Sequence, residues 1–394
     1  MRIALVTESY YPYINGVITH VETLKKGLEA DGYEVLIITL NPEYKHHTVK
    51  DGVLYCPAKP LLSSYGYGVA NPWSRERMRI LEEFKPDLIH MHTEGTLGIF
   101  AMRAARKLRV PLVYTLHTLY DEYFFYVCKN RLGQKMISHI SHFYFRKLCG
   151  RTAQIIGPSE KTAEYIDSLG VDKTVNVVPN TVDLSGFGKD STDGETVAKL
   201  RQELGIRPGD MAACFVGRLG QEKSVDKLIA KFAGQFGGFD TYKLFIIGDG
   251  PEREPLEKMV RELGMEKQIF LLGRIEHEDL PAYYQVFDIF VTASTTEMHS
   301  ISMLEAMASG LYAVVAYDPK NEQQLVEGVS GEMFADDAKF HSLLEQEMQM
   351  PEEERIARRE KLESYMEQYG TSEFIENIKK VYQQALGQCR VCEK

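Results

Sequence analysis

Four short segments carry side chains whose types and spacing suit chemistry on a phosphorylated sugar. In VGRLGQEKS, Arg218 and Lys223 stand five residues apart, just past a strand-like apolar run. A guanidinium gives planar, multi-donor contacts and an ammonium a point charge, which together suit a diphosphate. Held in place, they would meet negative charge growing on a leaving group without reorganising. In STTEMHSISMLEAMASG, Glu297 precedes a helix and Glu305 lies eight positions on, inside it. Between them Met298, His299, Ser300, Ile301 and Ser302 offer backbone N–H groups and hydroxyls at a helix N-terminus, where anions bind. Glu297 could bind sugar hydroxyls beside that anion, and Glu305 could accept from the two vicinal hydroxyls of a ribose. His117, at the end of Tyr114–Thr118, could hydrogen-bond a sugar hydroxyl. Asn15-Gly16-Val17 forms a turn into a helix, where a glycine permits close approach of backbone to an anion. Each has an ordinary structural reading: solvated cations, a capping acid with a surface glutamate, a structural histidine and a plain turn.

Other constellations are weaker or missing. Tyr123–Ser159 holds no Asp or Glu but has Lys129, Arg131, Lys135, Arg146, Lys147 and Arg151 among Phe124, Phe125, Tyr126, Phe143, Tyr144 and Phe145. Cations interleaved with aromatics suit an anionic membrane surface, and equally a domain helix with a basic outer face. A second basic cluster, Arg103, Arg106, Lys107 and Arg109, tips the reading toward the membrane. Cys389 and Cys392 lie on a tail segment with no partners nearby in sequence. No dinucleotide fingerprint, nucleophile arrangement or carboxylate pair of metal-ligand spacing is found. The expectation is therefore no metal and no obligatory cofactor.

These segments need strands to position them. Apolar, β-branched runs alternate with helix-length periodic stretches: Arg2–Thr7, Glu34–Thr39, Asp87–His92, Leu112–Leu116, Gln154–Gly157 and Val175–Val178, then Ala212–Gly217, Lys243–Gly248, Gln268–Gly273, Asp288–Ala293 and Tyr312–Ala316. Such runs with helices between them predict parallel sheets covered on both faces. The chain reads as α/β with two doubly wound units. Asp183–Thr196, rich in Gly, Ser and Asp and without period, reads as a linker. The expected domains are 1–185, 186–370, and a final helix with tail, 371–394, that crosses back onto the first. Ligands of open parallel sheets bind beyond the carboxyl ends of the strands, so two such domains are expected to face a central cleft.

Composition limits the rest. The chain is 44% apolar and 26% charged, with six thinly spread cysteines, as in an ordinary globular protein of a reducing compartment. Residues 1–185 hold 22 Lys and Arg against 19 Asp and Glu, and the remainder 24 against 37. That acidic half, with a single Trp, argues against a nucleic-acid ligand. No run reaches the roughly 18 apolar residues of a membrane span, and MRIALVTESY is too short for a signal peptide. The expected location is cytoplasmic, with peripheral attachment to the inner face of the membrane left open.

In order along the chain, YYPYINGV, DLIHMHTEGTLG, YTLHT, GPSEKTAEYI, VPNTVD, VGRLGQEK, IIGDGPER, FLLGR and EMHSISMLEAMASG resemble the retaining GT-B glycosyltransferases of family 4. HTLYDEYFFYV and HTEG resemble the diacylglycerol glucosyltransferases within it. The resemblance implies two Rossmann-like domains and transfer of a hexose from a nucleotide-sugar, UDP-glucose foremost, to a lipid acceptor. It implies catalytic or donor roles for His117, Arg218, Lys223 and Glu297, and donor contacts from Gly16, Ile275, His299, Ser300, Ile301, Ser302 and Glu305. Acceptor contacts would come from Tyr120 and Tyr123. The sequence departs at Met298-His299-Ser300, where Gly-aromatic-Gly is usual, and at Thr181, where Gly is common. A soluble acceptor, or an epimerase of the same architecture, are the competing readings.

Overall fold

The computed structural model describes residues 1–11, 15–60, 68–118, 131–188, 191–319 and 324–391. It has two compact units, Met1–Asn180 with Thr371–Lys394, and Thr181–Gly370. Tyr120, Tyr123 and Cys392 lie outside the described residues.

The first unit is built from β1 (Arg2–Val6), β2 (Glu34–Leu40), β3 (Thr48–Lys50), β4 (Val53–Cys56), β7 (Leu88–Met91), β8 (Leu112–Thr115), β9 (Gln154–Gly157) and β10 (Val175–Val177), with a separate ribbon of β5 (Lys59–Pro60) and β6 (Gly68–Val69). The main sheet runs β10-β9-β8-β7-β1-β2-β4-β3. All its pairs are parallel except β3 with β4. All four residues of β7 and of β8 are buried, as parallel strands covered on both faces must be. The helix Gly16–Ala30 is capped by Asn15, whose side chain accepts from Ile18 N–H at 3.0 Å. It buries Ile18, Val21, Leu24 and Leu28, each contributing roughly 1.5–3 kcal/mol through area removed from water. The terminal helix Thr371–Val391 sets Phe374, Ile375, Ile378, Val381, Tyr382 and Ala385 into the same core.

The second unit is a six-stranded, wholly parallel sheet of β11 (Met211–Val216), β12 (Tyr242–Ile247), β13 (Ile269–Gly273), β14 (Ile289–Thr292), β15 (Tyr312–Ala316) and β16 (Gly331–Phe334). Its order is β13-β12-β11-β14-β15-β16. Chain direction across the sheet therefore reverses between β11 and β14, and in the first unit between β1 and β7. Those reversals are where open parallel sheets leave a ligand crevice at the strands' carboxyl ends.

Two features differ from the sequence expectation. Asp183–Thr196 is no plain linker. Asp183 caps the short helix Leu184–Phe187, Asp193 caps Gly194–Glu203, and Phe187 is buried in the second unit's core. The residues that suggested a loop are also preferred N-caps, which explains the misreading. The other difference is strands β3 to β6 and β16, which are too short for a periodic signal.

Gly248 shows why the loop after β12 needs glycine. Its φ is +139°, and a Cβ there would lie 1.8 Å from the Gly217 carbonyl oxygen, which is backbone and cannot swing aside. Gly248→Ala should lower the stability of the second unit by roughly 2–4 kcal/mol. Thermal unfolding followed by circular dichroism checks this, and a Tm within 1 °C of wild type would refute it.

Candidate active site

In the second unit the sequence-predicted residues gather at the carboxyl ends of β11 and β14. Arg218 follows β11, and its guanidinium pairs with Glu222, whose carboxylate is fully buried. Lys223 ends the single turn Gln221–Lys223 and pairs with Glu297. Ser224 next to it sits at φ +50°, a left-handed conformation uncommon for serine. Thr296 donates to the Glu222 carbonyl at 3.0 Å and Ser294 Oγ lies 3.4 Å from Glu297 Oε1. These contacts tie the loop after β11 to the loop after β14. Both cations thus face a carboxylate. Arg218 is exposed although ion-paired, and Lys223 is half-buried.

Ser300 caps the helix Ile301–Ala308, accepting from Met303 N–H at 3.3 Å, with Ser302 Oγ 3.1 Å away. His299 is buried, its ring 5.4 Å from that of Tyr369, and burial lowers its pKa to about 4. Thr181 donates to the Tyr369 carbonyl at 2.8 Å. The Thr181 and His299 departures from the family pattern therefore meet through Tyr369. Ile275, just past β13, is half-buried against the core.

Glu305 is 5% exposed. His277 Nε2 lies 2.9 Å from one carboxylate oxygen, and the Tyr284 hydroxyl donates to the other at 3.2 Å. Hydrogen bonding to Glu305 raises the pKa of His277. Glu305 is not the surface helix glutamate of its ordinary reading. Two side chains hold it in one orientation. Sequence reasoning missed His277, which stands 28 residues away with no periodic link to Glu305.

In the first unit, Gly16 is the exposed first residue of its helix, behind the Asn15 cap. His117 follows β8, and its Nε2 lies 3.0 Å from His92 Nδ1. His20 packs edge-on against His117, with ring centroids 4.7 Å apart. Next to them His90 Nδ1 meets the Tyr382 hydroxyl at 2.8 Å and Nε2 meets Thr115 Oγ1 at 2.7 Å. Burial, then mutual repulsion, holds His92 and His117 well below the usual imidazole pKa, and burial brings His20 to about 4. All three are neutral near pH 7. The sequence flagged only His117 of this group. In HTEG, Glu94 accepts from the Tyr114 hydroxyl. Glu8 crosses over to accept from Leu97 N–H at 3.2 Å and Thr96 Oγ1 at 3.0 Å, at the start of the helix Thr96–Leu108.

The two basic clusters separate. Arg103 donates to the Pro72 carbonyl at 2.9 Å and lies over the Trp73 ring, and Lys107 pairs with Glu82. Arg106 and Lys107 also close a helix C-terminus, where cations are favoured. All four cations of that cluster are exposed. The helix Arg131–Arg151 instead exposes Met136, Ile140 and Phe143 at 64%, 64% and 55%, a stripe at helical spacing. Arg146, Lys147 and Arg151 are exposed on the same helix, with the Lys147 ammonium 4.7 Å from the Phe143 ring centroid.

Two doubly wound units with parallel sheets are the architecture of a GT-B glycosyltransferase. Alr3699/HepE of Anabaena in complex with UDP has this fold, with a TM-score of 0.75 at 19% identity, covering 97% of this chain and 100% of that one. The glycosyltransferase family 4 model matches residues 14–185, and that of glycosyl transferases group 1 matches 196–372. The chain belongs to glycosyltransferase family 4 and is a hexosyltransferase. It is 33% identical over 342 residues to the alpha-monoglucosyldiacylglycerol synthase of Acholeplasma laidlawii, covering 85% of each chain. It is 28% identical to the enzyme of that name from Streptococcus pneumoniae, covering 81% of this chain and 72% of that one. The GDP-mannose-dependent alpha-mannosyltransferase of Mycolicibacterium smegmatis is 30% identical, with 83% and 82% covered.

Proposed function

We propose that this enzyme transfers glucose from UDP-glucose to diacylglycerol with retention of configuration, at the inner face of a membrane. The acceptor hydroxyl attacks the anomeric carbon from the face on which the sugar–phosphate bond breaks. UDP leaves, and the hydroxyl proton passes to a departing phosphate oxygen, so no separate enzymic base is needed. Arg218 and Lys223 meet the growing phosphate charge, which makes an obligatory metal unnecessary in this scheme. Ser300, Ser302 and the N–H groups at Ile301 take further phosphate oxygens, and Gly16 leaves room for another phosphate contact. Glu305, oriented by His277 and Tyr284, binds the ribose hydroxyls, and Ile275 the base. Glu297 and His117 bind hexose hydroxyls, with His299 shaping the sugar pocket. Tyr120 and Tyr123 are assigned to the acceptor.

The observation that carries the lipid acceptor is the apolar stripe of Met136, Ile140 and Phe143, set among cations on one helix. An enzyme drawing its acceptor from a bilayer needs such a face. The relatives named for diacylglycerol, and the Anabaena HepE structure holding UDP and glucose, support the same acceptor and donor. The test is transfer from radiolabelled UDP-glucose into vesicles containing diacylglycerol, followed by extraction into organic solvent. Label in the organic phase is the expected result. No label there, with turnover on water-soluble acceptors, would refute the lipid assignment.

Vesicle binding gives a separate check. Replacing Arg146, Lys147 and Arg151 with Gln should weaken co-sedimentation with anionic vesicles at low salt roughly 100-fold, at about 1 kcal/mol per cation near the surface. Unchanged co-sedimentation would make this a basic outer face only.

A further inference from the structure

Three histidines distant in sequence meet in the first unit. His20 lies in the helix Gly16–Ala30, His92 just past β7 and His117 just past β8. Each can offer one ring nitrogen so that all three nitrogens lie within 4.8 Å of one another.

The protonation pattern is an independent observation that points to a ligand. Asn180 Oδ1 lies 3.1 Å from His20 Nδ1. An amide oxygen only accepts, so that nitrogen carries the proton and Nε2 holds a lone pair. His20 Nε2 is buried and has no hydrogen-bond partner among the described residues. His92 Nδ1 and His117 Nε2 face each other at 3.0 Å, so one of them donates and the other accepts. His92 Nε2 is likewise buried and unpartnered among the described residues. His20 and His92 are 3% and 4% exposed, so neither unpartnered nitrogen is left to bulk water. Buried polar atoms are nearly always satisfied, and the His20 Nε2 lone pair, set in a cluster of neutral imidazoles, requires an explanation.

A divalent ion supplies one. Neutral imidazole is the form that binds metal, and a set of imidazoles without carboxylate or thiolate selects zinc-class ions over magnesium or calcium. Zn–N bonds of about 2.0–2.1 Å put ligand nitrogens about 3.4 Å apart in a tetrahedron. His92 Nδ1 and His117 Nε2, 3.0 Å apart, are already near that separation, and the ion would replace the proton between them, which moves to the far nitrogen of the donor ring. From the 4.8 Å limit, the third nitrogen needs to move by at most roughly 1.4 Å to reach it. Asn180 is then the outer group that fixes the tautomer and orientation of a ligating histidine. His117, the least buried of the three, leaves a fourth position for water. No local motif announces the site, because its ligands come from three separate segments.

We propose that His20, His92 and His117 bind one zinc-class divalent ion, and that occupancy inhibits hexose transfer by taking His117. The binding claim stands without the proposed function, and only the inhibition clause rests on it. Chelator-stripped full-length protein is titrated with Co²⁺ and followed by visible absorption, then back-titrated with Zn²⁺. The expected result is an intense four-coordinate spectrum saturating at one equivalent, without a thiolate charge-transfer band, and bleached by Zn²⁺. His20→Gln and His117→Asn should each weaken binding roughly 10- to 100-fold, with far-ultraviolet circular dichroism confirming that both fold. Weak six-coordinate absorption, a thiolate-type spectrum from cysteine capture, or a spectrum unchanged in both folded variants would each overturn the site. Zinc at saturating concentration should suppress a transfer activity first established in its absence. Full activity with the ion bound would overturn the inhibition clause and would leave the proposed function intact.

Discussion

Lys223→Ala should lower kcat roughly 10²–10³-fold, the cost of removing one preorganised group that meets transition-state charge. The substitution leaves donor binding in part, because Arg218 still faces the phosphates in this scheme. In the proposed scheme Lys223 acts where charge grows as the sugar–phosphate bond breaks, so the loss falls on kcat more than on KM. Stability should change little. The Lys223–Glu297 pair is partly exposed, and such pairs contribute about 1 kcal/mol or less. A Tm fall of roughly 2–4 °C follows for a unit of this size. The variant also leaves the Glu297 carboxylate beside the incoming diphosphate without its cation. The double variant Lys223→Ala/Glu297→Gln should therefore recover part of the donor affinity lost in the single one. Steady-state kinetics with thermal melts on both variants decide this. Activity falling only as far as folded protein falls would refute the catalytic role.

The fold and one half of the site could be read from sequence because parallel strands force their loops to the ends where ligands bind. Arg218, Lys223, Glu297 and the Ser300 cap all follow directly after apolar strands, and the structure gathers them at the β11–β14 reversal. What could not be read depends on contacts between distant segments. Glu222 looks like any acidic residue in a turn, yet its carboxylate is buried against Arg218. His277 gains its meaning from Glu305, and His20 and His92 from His117. No 3.6- or 2-residue period connects such pairs. Asp183 and Asp193 failed for another reason, since helix caps and loops use the same residue types.

Acid should unfold the first unit well before carboxylate titration becomes important. His20, His90, His92 and His117 are held neutral, chiefly by burial and for three of them also by one another. The groups packed on them are Asn180, Thr115, Phe374 and the Tyr382 hydroxyl, none of which supplies a negative charge near neutral pH. Folded values below the unfolded one near 6.5 mean that the unfolded chain binds more protons. Stability is then intact above about pH 6.5 and lost as pH falls toward the folded values, at about 1.4 kcal/mol per pH unit for each proton. The loss by pH 5 amounts to about 2 kcal/mol for each histidine that stays neutral in the folded state, on the order of 8 kcal/mol for all four. The second unit carries two opposed histidine shifts. His299, lowered to about 4, loses stability in the same window. The raised His277 contributes stability that is full below pH 6.5 and lost as pH rises through its folded value. The first unit should therefore be the more acid-labile. The chain's single Trp is Trp73, in the first unit, so tryptophan fluorescence excited at the red edge, where tyrosine does not absorb, reports that unit alone. Its melting transition should fall steeply between pH 7 and 5, and less steeply in His117→Asn, which removes one of the protons. A transition flat across that range would mean that the cluster is not buried neutral in solution.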